Sequence, residues 1–197
     1  MDVSYTFGLL AGIIALIAYG LYFKQTLGGK STPNPATWAI WLLVGIINTI
    51  TYFSVTGNNI WQSLIVIAVT FSVSIVFVYS LFRGKFSKIS SMEIAIFILA
   101  VAIGIFWQIT ANDRISNLLL QGIYVISYIP TIFGIIRGTG KEHYVAWAAA
   151  FVAYLFSTAS VGFDPSVDWI AFVHPIVNGL LGNGFIVALV IWKKFKK

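Results

Sequence analysis

The chain has 197 residues, of which 59% are hydrophobic, 16% aromatic and only 9% charged. A water-soluble domain carries about a quarter charged residues, so this composition excludes a soluble enzyme or a nucleic-acid-binding domain despite the net charge of +6. The absence of cysteine excludes disulfides, thiolate metal sites and a cysteine nucleophile.

Seven apolar segments, each about as long as a bilayer crossing requires, predict an all-α integral membrane protein with seven transmembrane helices. The first, 4–25, is preceded by Asp2 rather than a basic run and is too long for the core of a signal peptide, so it reads as a spanning helix. Gly28-Gly29, Pro33 and Pro35 separate it from the second, 37–56, which sets Trp41, Gly45, Asn48 and Tyr52 along one face. The third, 60–82, follows Gly57-Asn58-Asn59 and offers Ser63, Thr70 and Ser74. The fourth, 91–110, has nothing more polar than Gly or Trp between Ile94 and Trp107, and a helix apolar all round faces lipid. The fifth, 115–136, spaces Asn117, Gln121, Tyr124, Tyr128 and Thr131 by fours and threes, which is one helix face. The sixth, 144–163, begins after Gly138-Thr139-Gly140 and carries Ala150, Tyr154 and Ser157. The seventh, 169–192, follows Asp164-Pro165-Ser166 and carries His174, Asn178 and Gly182, with Asn183 beside them.

Eleven of the twelve basic residues fall on one side of this arrangement: Lys24, Lys30, Arg83, Lys85, Lys88, Arg137, Lys141, Lys193, Lys194, Lys196 and Lys197. Only Arg114 falls on the other. By the positive-inside rule the N-terminus is outside and the C-terminus cytoplasmic, in a cell (inner) membrane. Trp38, Trp61, Trp107, Trp169 and Trp192 lie near predicted helix ends, where an aromatic belt is expected, while Trp41 and Trp147 sit deeper, as gates would.

A shift of 109 residues lays the chain on itself without a gap, pairing Leu9 with Leu118, Tyr19 with Tyr128, Gly29 with Gly138, Trp38 with Trp147 and Thr49 with Thr158. The expected organisation is two parallel three-helix repeats, 1–84 and 113–197, joined by a linker helix within 85–112. Small residues such as Gly8, Gly12, Ala15, Ala150 and Gly182 read as helix contacts. The bulkier polar residues read as the wall of a cavity, because a buried amide has four hydrogen-bonding positions that helix packing alone rarely satisfies. Two related halves place such a cavity at their interface near the midplane. The expected substrate-binding residues are Asn48, Tyr52, Thr70, Ser74, Gln121, Tyr124, Tyr128, Ser157, His174 and Asn178, with Pro130 and Pro175 as hinges. No Asp, Glu, Lys or Arg lies near the middle of a segment, which argues against an ion-coupled pump, with His174 the one titratable exception. No metal-ligand cluster, nucleotide loop or nucleophile–base pair can be assembled, so neither a cofactor nor an enzymatic reaction is expected.

The stretches AYGLYFKQTLGGKSTPNPATWAIWLLVGIINTITYF, YVISYIPTIFGIIRGTGKEHYVAWAAAFVAYLFS and HPIVNGLLGNG resemble the SWEET and PQ-loop superfamily of small transporters. Pro130 stands at the place of that family's fifth-helix proline. Thr70 and Asn178 stand where its sugar carriers place an asparagine pair. The resemblance implies a three-one-three helix plan, an outward N-terminus, and facilitated passage of a small neutral polar solute, sugar-like or vitamin- or nucleoside-like, by alternating access. A non-transporting receptor or interaction protein of the same fold is the alternative. The partners expected are the solute and the lipid bilayer, with no nucleic acid; a homo-oligomer is compatible with this reading.

Because the chain has no native cysteine, single introduced cysteines report topology cleanly. An impermeant thiol reagent is expected to label positions in Gly57–Asn59 and Asp164–Asp168 from outside intact cells and to leave 83–88 unlabelled. Labelling of 83–88 from outside would overturn the orientation.

Overall fold

The computed structural model describes residues 3–83 and 90–196, which places Asp2, Lys85, Lys88 and Lys197 of the charge pattern outside the described residues. The chain forms α1 (Val3–Leu27), α2 (Pro35–Val55), α3 (Ile60–Arg83), α4 (Ser91–Thr110), α5 (Asp113–Arg137), α6 (Tyr144–Gly162), α7 (Ile170–Val173), a π-helical stretch (His174–Asn183) and α8 (Gly184–Phe195). The last three run on as one seventh span, Ile170–Phe195, so seven helices are long and apolar enough to cross a membrane. There is no strand among the described residues.

The helix ends follow local chemistry. Asn34 caps α2 by accepting from the Ala36 amide, and Pro35 occupies the first turn, where its missing N–H is no loss. Ser90 and Glu93 form a reciprocal capping box at the start of α4, and the Asn34 side chain donates to the same Glu93 at 2.8 Å. That bond ties α4 to the start of α2. The seventh span runs past the expected 192 to Phe195, and Lys193 Nζ reaches across to the terminal carbonyls of Ile135 and Ile136 on α5. Gly29 and Gly138, partners in the 109-residue register, adopt φ of 69° and 75° after the first and fifth helices, a conformation a side chain would oppose.

α1 packs on α3 and α6, α2 on α3 and α5, and α6 on α1 and the seventh span. Exchanging α1 with α5, α2 with α6 and α3 with the seventh span maps these neighbours onto one another. α4 has no counterpart in this exchange; it lies on α2 and α5 through Ile96 and Ala100, with Ile103 and Trp107 partly buried beside them, and exposes much of its remaining apolar surface. Near the basic end the Thr32 amide donates to the Lys141 carbonyl at 3.0 Å, so two residues 109 apart in sequence meet where the two sets of helices join.

At the opposite end Ser4 Oγ donates to the Ser160 carbonyl (2.8 Å) and Ser160 Oγ to the Ser4 carbonyl (2.7 Å), cross-linking α1 and α6. Gln62 Nε2 reaches Ser4 Oγ and the Asp164 carboxylate, and Arg114 pairs with Asp168. Trp61, Trp169 and Trp192 are well exposed, as a belt requires. Trp38 is not: it is 3% exposed and belongs to the core, because the rings of Tyr19, Tyr22 and Trp41 pack on it.

α1 and α3 approach through small residues. A Cβ on Gly8 would stand 2.3 Å from the Trp61 carbonyl oxygen, whereas one on Gly20 meets nothing within 4 Å. Gly8→Ala is therefore expected to cost about 1–3 kcal/mol, the usual penalty for overpacking. Gly20→Ala is expected to be neutral or mildly stabilising, since Ala is the better helix former. Thermal unfolding of both variants in detergent decides the matter; equal midpoints would refute the close contact.

Candidate functional site

The site begins with the seventh span, which does not stay α-helical. Pro175 has no N–H to give the Ala171 carbonyl one turn back. That carbonyl instead accepts the Tyr52 hydroxyl from α2 at 3.0 Å. From His174 the backbone widens into ten residues of π-helix, and Asn183 Nδ2 bonds to the carbonyls of Asn178 (3.2 Å) and Gly179 (2.9 Å) inside it. Such π segments recur at functional sites, since they push side chains out of helical register.

Asn178 projects from this stretch between two tyrosines. The Tyr128 hydroxyl of α5 donates to Asn178 at Oδ1 (3.0 Å) and at its carbonyl (3.1 Å), and Asn178 Nδ2 donates to the Tyr154 hydroxyl of α6 (3.3 Å). Glycine makes this fit possible. A Cβ on Gly182 would sit 2.6 Å from the Tyr128 ring, and one on Gly179 only 2.2 Å from the Tyr154 ring.

These groups border a central cavity of about 50 Å³ between the two sets of helices. Its wall includes Tyr19, Tyr22, Trp38, Trp41, Tyr124, Tyr128, Trp147 and Tyr154, with Thr70, Asn178 and Asn183 as its amide and alcohol groups. The Thr70 hydroxyl is paired with that of Thr49 at 2.9 Å. Among the described residues no charged side chain lines the cavity.

A larger vestibule of about 370 Å³ lies at the basic end, bordered by Asn34, Thr37, Glu93, Pro130, Arg137 and Glu142 among others. Tyr22, Trp38, Trp41 and Trp147 border both spaces and so form the partition between them. Trp38 packs on Tyr22 and on Trp41 at 5.1 Å between ring centroids, and Trp147 stands 6.2 Å from each of Tyr22 and Trp41. The partition is fastened by three hydrogen bonds: Trp41 Nε1 to Ser127 Oγ (2.7 Å), Trp147 Nε1 to Glu142 Oε2 (3.0 Å) and the Tyr22 hydroxyl to Glu142 Oε1 (3.2 Å). Burial pushes the Glu142 carboxyl up to about 7, outweighing the hydrogen bonds from Trp147 and Tyr22 that favour the carboxylate.

The expected site residues divide into two groups. Thr70, Tyr124, Tyr128 and Asn178 line the central cavity. Asn48, Tyr52, Gln121 and His174 do not line it; they lie in a packed polar layer toward the opposite end. There Asn48 Oδ1 accepts from Asn117 Nδ2 (3.1 Å) and Gln121 Nε2 (3.0 Å), and Gln121 Oε1 meets His174 Nδ1 (3.0 Å). The His174 ring sits among those of Tyr52, Tyr124 and Tyr154, at 5.3–5.6 Å between centroids. Ser157 is buried outside the cavity wall. Ser74 turns back on its own helix, donating to the Phe71 carbonyl, and also stands outside the wall. Pro130 borders the vestibule, while Pro175 acts through the backbone as described.

Several wall residues were not among the expected binding residues: Tyr19, Tyr22, Trp38, Asn183 and, at the partition, Glu142. The repeat register carried a signal for two of them, since Tyr19 and Trp38 are the partners of Tyr128 and Trp147. Glu142 carried none, because a lone acid in a short loop resembles any solvated charge. No family model, curated protein or solved structure matches the chain.

Gln121 serves α2, α5 and the seventh span at once. Gln121→Leu takes from Asn48 one of its two donors, strands the ring nitrogen of His174 and is expected to cost about 1–3 kcal/mol. Ser74→Ala, which breaks only a bond within one helix, serves as the control. Thermal unfolding in detergent that finds the two variants equal would show that the polar layer adds nothing.

Proposed function

We propose that the protein is a facilitative transporter of a small neutral polar solute, working by alternating access between two three-helix halves, 1–84 and 113–197, bridged by the 85–112 linker. In this reading the basic end is cytoplasmic. The observation that carries it is a cavity between the two sets of helices that is bounded at its two ends by different means. Toward the vestibule it is bordered by four aromatic rings; toward the other end lie the Asn48–Gln121–His174 layer and the Ser4–Ser160 cross-link. A barrier of rings held by three hydrogen bonds can part by side-chain and small helix movements, and the π-helical stretch beside Asn178 supplies a span whose backbone is already divided. Solute passing through such a cavity moves down its own gradient.

The first test is a screen of purified protein for thermal stabilisation by neutral metabolites, followed by uptake of the hits into proteoliposomes. Asn178→Leu removes the amide shared by Tyr128 and Tyr154 and is expected to abolish uptake while the protein remains folded. Uptake at the parent rate in Asn178→Leu would refute the assignment of the site. Unfolding as severe as that of Gly12→Leu would make Asn178 a structural tie instead.

A further inference from the structure

We propose that Glu142 is a proton-binding site that latches the partition at the basic end, so that opening of the central cavity toward the vestibule releases a proton. This goes beyond the transport reading and holds whether or not a solute passes.

The geometry is that of a clamp between the two halves. One carboxylate oxygen holds Tyr22 on α1 and the other holds Trp147 on α6, and both of those side chains belong to the partition. No other carboxylate bonds to a partition ring among the described residues. Glu93, the second acid bordering the vestibule, is taken up by Ser90 and Asn34.

No cation neutralises the latch. Arg114–Asp168 at the far end is the one ion pair among the described residues. Arg137 of α5 borders the same vestibule without pairing with Glu142. On its own loop, Lys141 is exposed, and the His143 ring is engaged with Gln25 and the Val145 amide. Lys193 of α8 is held by the α5 carbonyls. From α1 the group facing Glu142 is the Tyr22 hydroxyl, and from α4 across the vestibule it is Glu93.

The direction of the pH effect follows from burial. At the vestibule face of the partition, half-buried between Tyr22 and Trp147, the carboxyl is pushed up to about 7, against 4.5 in water. Parting Tyr22 from Trp147 would open its inner side to the cavity as well and return it toward the ordinary range. The closed state thus binds a proton more tightly than the open state, and closure is favoured in acid and lost as pH rises through about 7. Between pH 6 and pH 8 the bias toward opening should grow by about tenfold. The proton enters and leaves from the vestibule side alone, so pH sets the opening equilibrium without driving solute uphill.

The test uses the full chain carrying Val73→Cys, which places a single thiol on the cavity wall. Its rate of modification by a small water-soluble thiol reagent is measured from pH 6 to pH 8 and corrected for thiol ionisation with a free-thiol standard. The corrected rate is expected to rise about tenfold, and the same thiol in a Glu142→Gln background is expected to show no rise. Matching pH profiles in the two backgrounds would overturn the proposal. Infrared titration of the unmodified protein provides a second reading that needs no variant to fold: a protonated-carboxyl band should disappear with a midpoint near 7. Titration of every carboxyl in the ordinary range would overturn the latch, whereas pH-dependent labelling without solute uptake would count against transport alone.

Discussion

The missing N–H of Pro175 organises the interior. In a bilayer no water reaches a stranded backbone carbonyl, and leaving one unpaired costs several kcal/mol, so each must find a partner within the protein. Tyr52 supplies that partner for Ala171, and Asn183 does the same for Asn178 and Gly179 further along. The span can then widen into a π-helix, and the widening brings Asn178 between Tyr128 and Tyr154. Gly179 and Gly182 complete the arrangement because two aromatic rings lie where their side chains would be.

The two ends of the cavity are held by interactions of different kinds. The side away from the basic end is a polar layer in which hydrogen bonds link Asn48, Asn117, Gln121 and His174 across three spans. Such networks are cooperative and lose much when any member is removed. The side toward the vestibule is closed by ring packing, which is broad and non-directional, with only a few hydrogen bonds to fix the rings.

Glu142 illustrates how position changes the meaning of a residue. Glu93 is also a buried acid beside the vestibule, yet a capping box and Asn34 occupy its oxygens and make it a fastening between α2 and α4. Glu142 has the same functional group and ties together rings from opposite halves. The difference lies in what each holds: a helix terminus in one case, a partition between two aqueous spaces in the other.

The amino-acid sequence alone determined the membrane class, the number of spans and nearly all of their limits, because a bilayer demands long apolar runs and the loops between them are marked by Gly, Pro and Asn. Gly29 and Gly138, which a 109-residue shift pairs, both adopt positive φ, and Thr32 and Lys141, also 109 apart, are joined by a backbone hydrogen bond. Helical spacing alone placed Asn117, Gln121, Tyr124 and Tyr128 on one face, but it could not separate the upper members, locked into a polar layer, from the lower ones at the cavity. Depth along the bundle and the identity of the facing helix decided that. Tertiary structure likewise moved Trp38 from the expected belt into the core, turned Ser74 away from the cavity, and gathered Tyr22 and Trp147 around Glu142. These outcomes depend on which helix stands opposite, and periodicity within one helix carries no information about its neighbour.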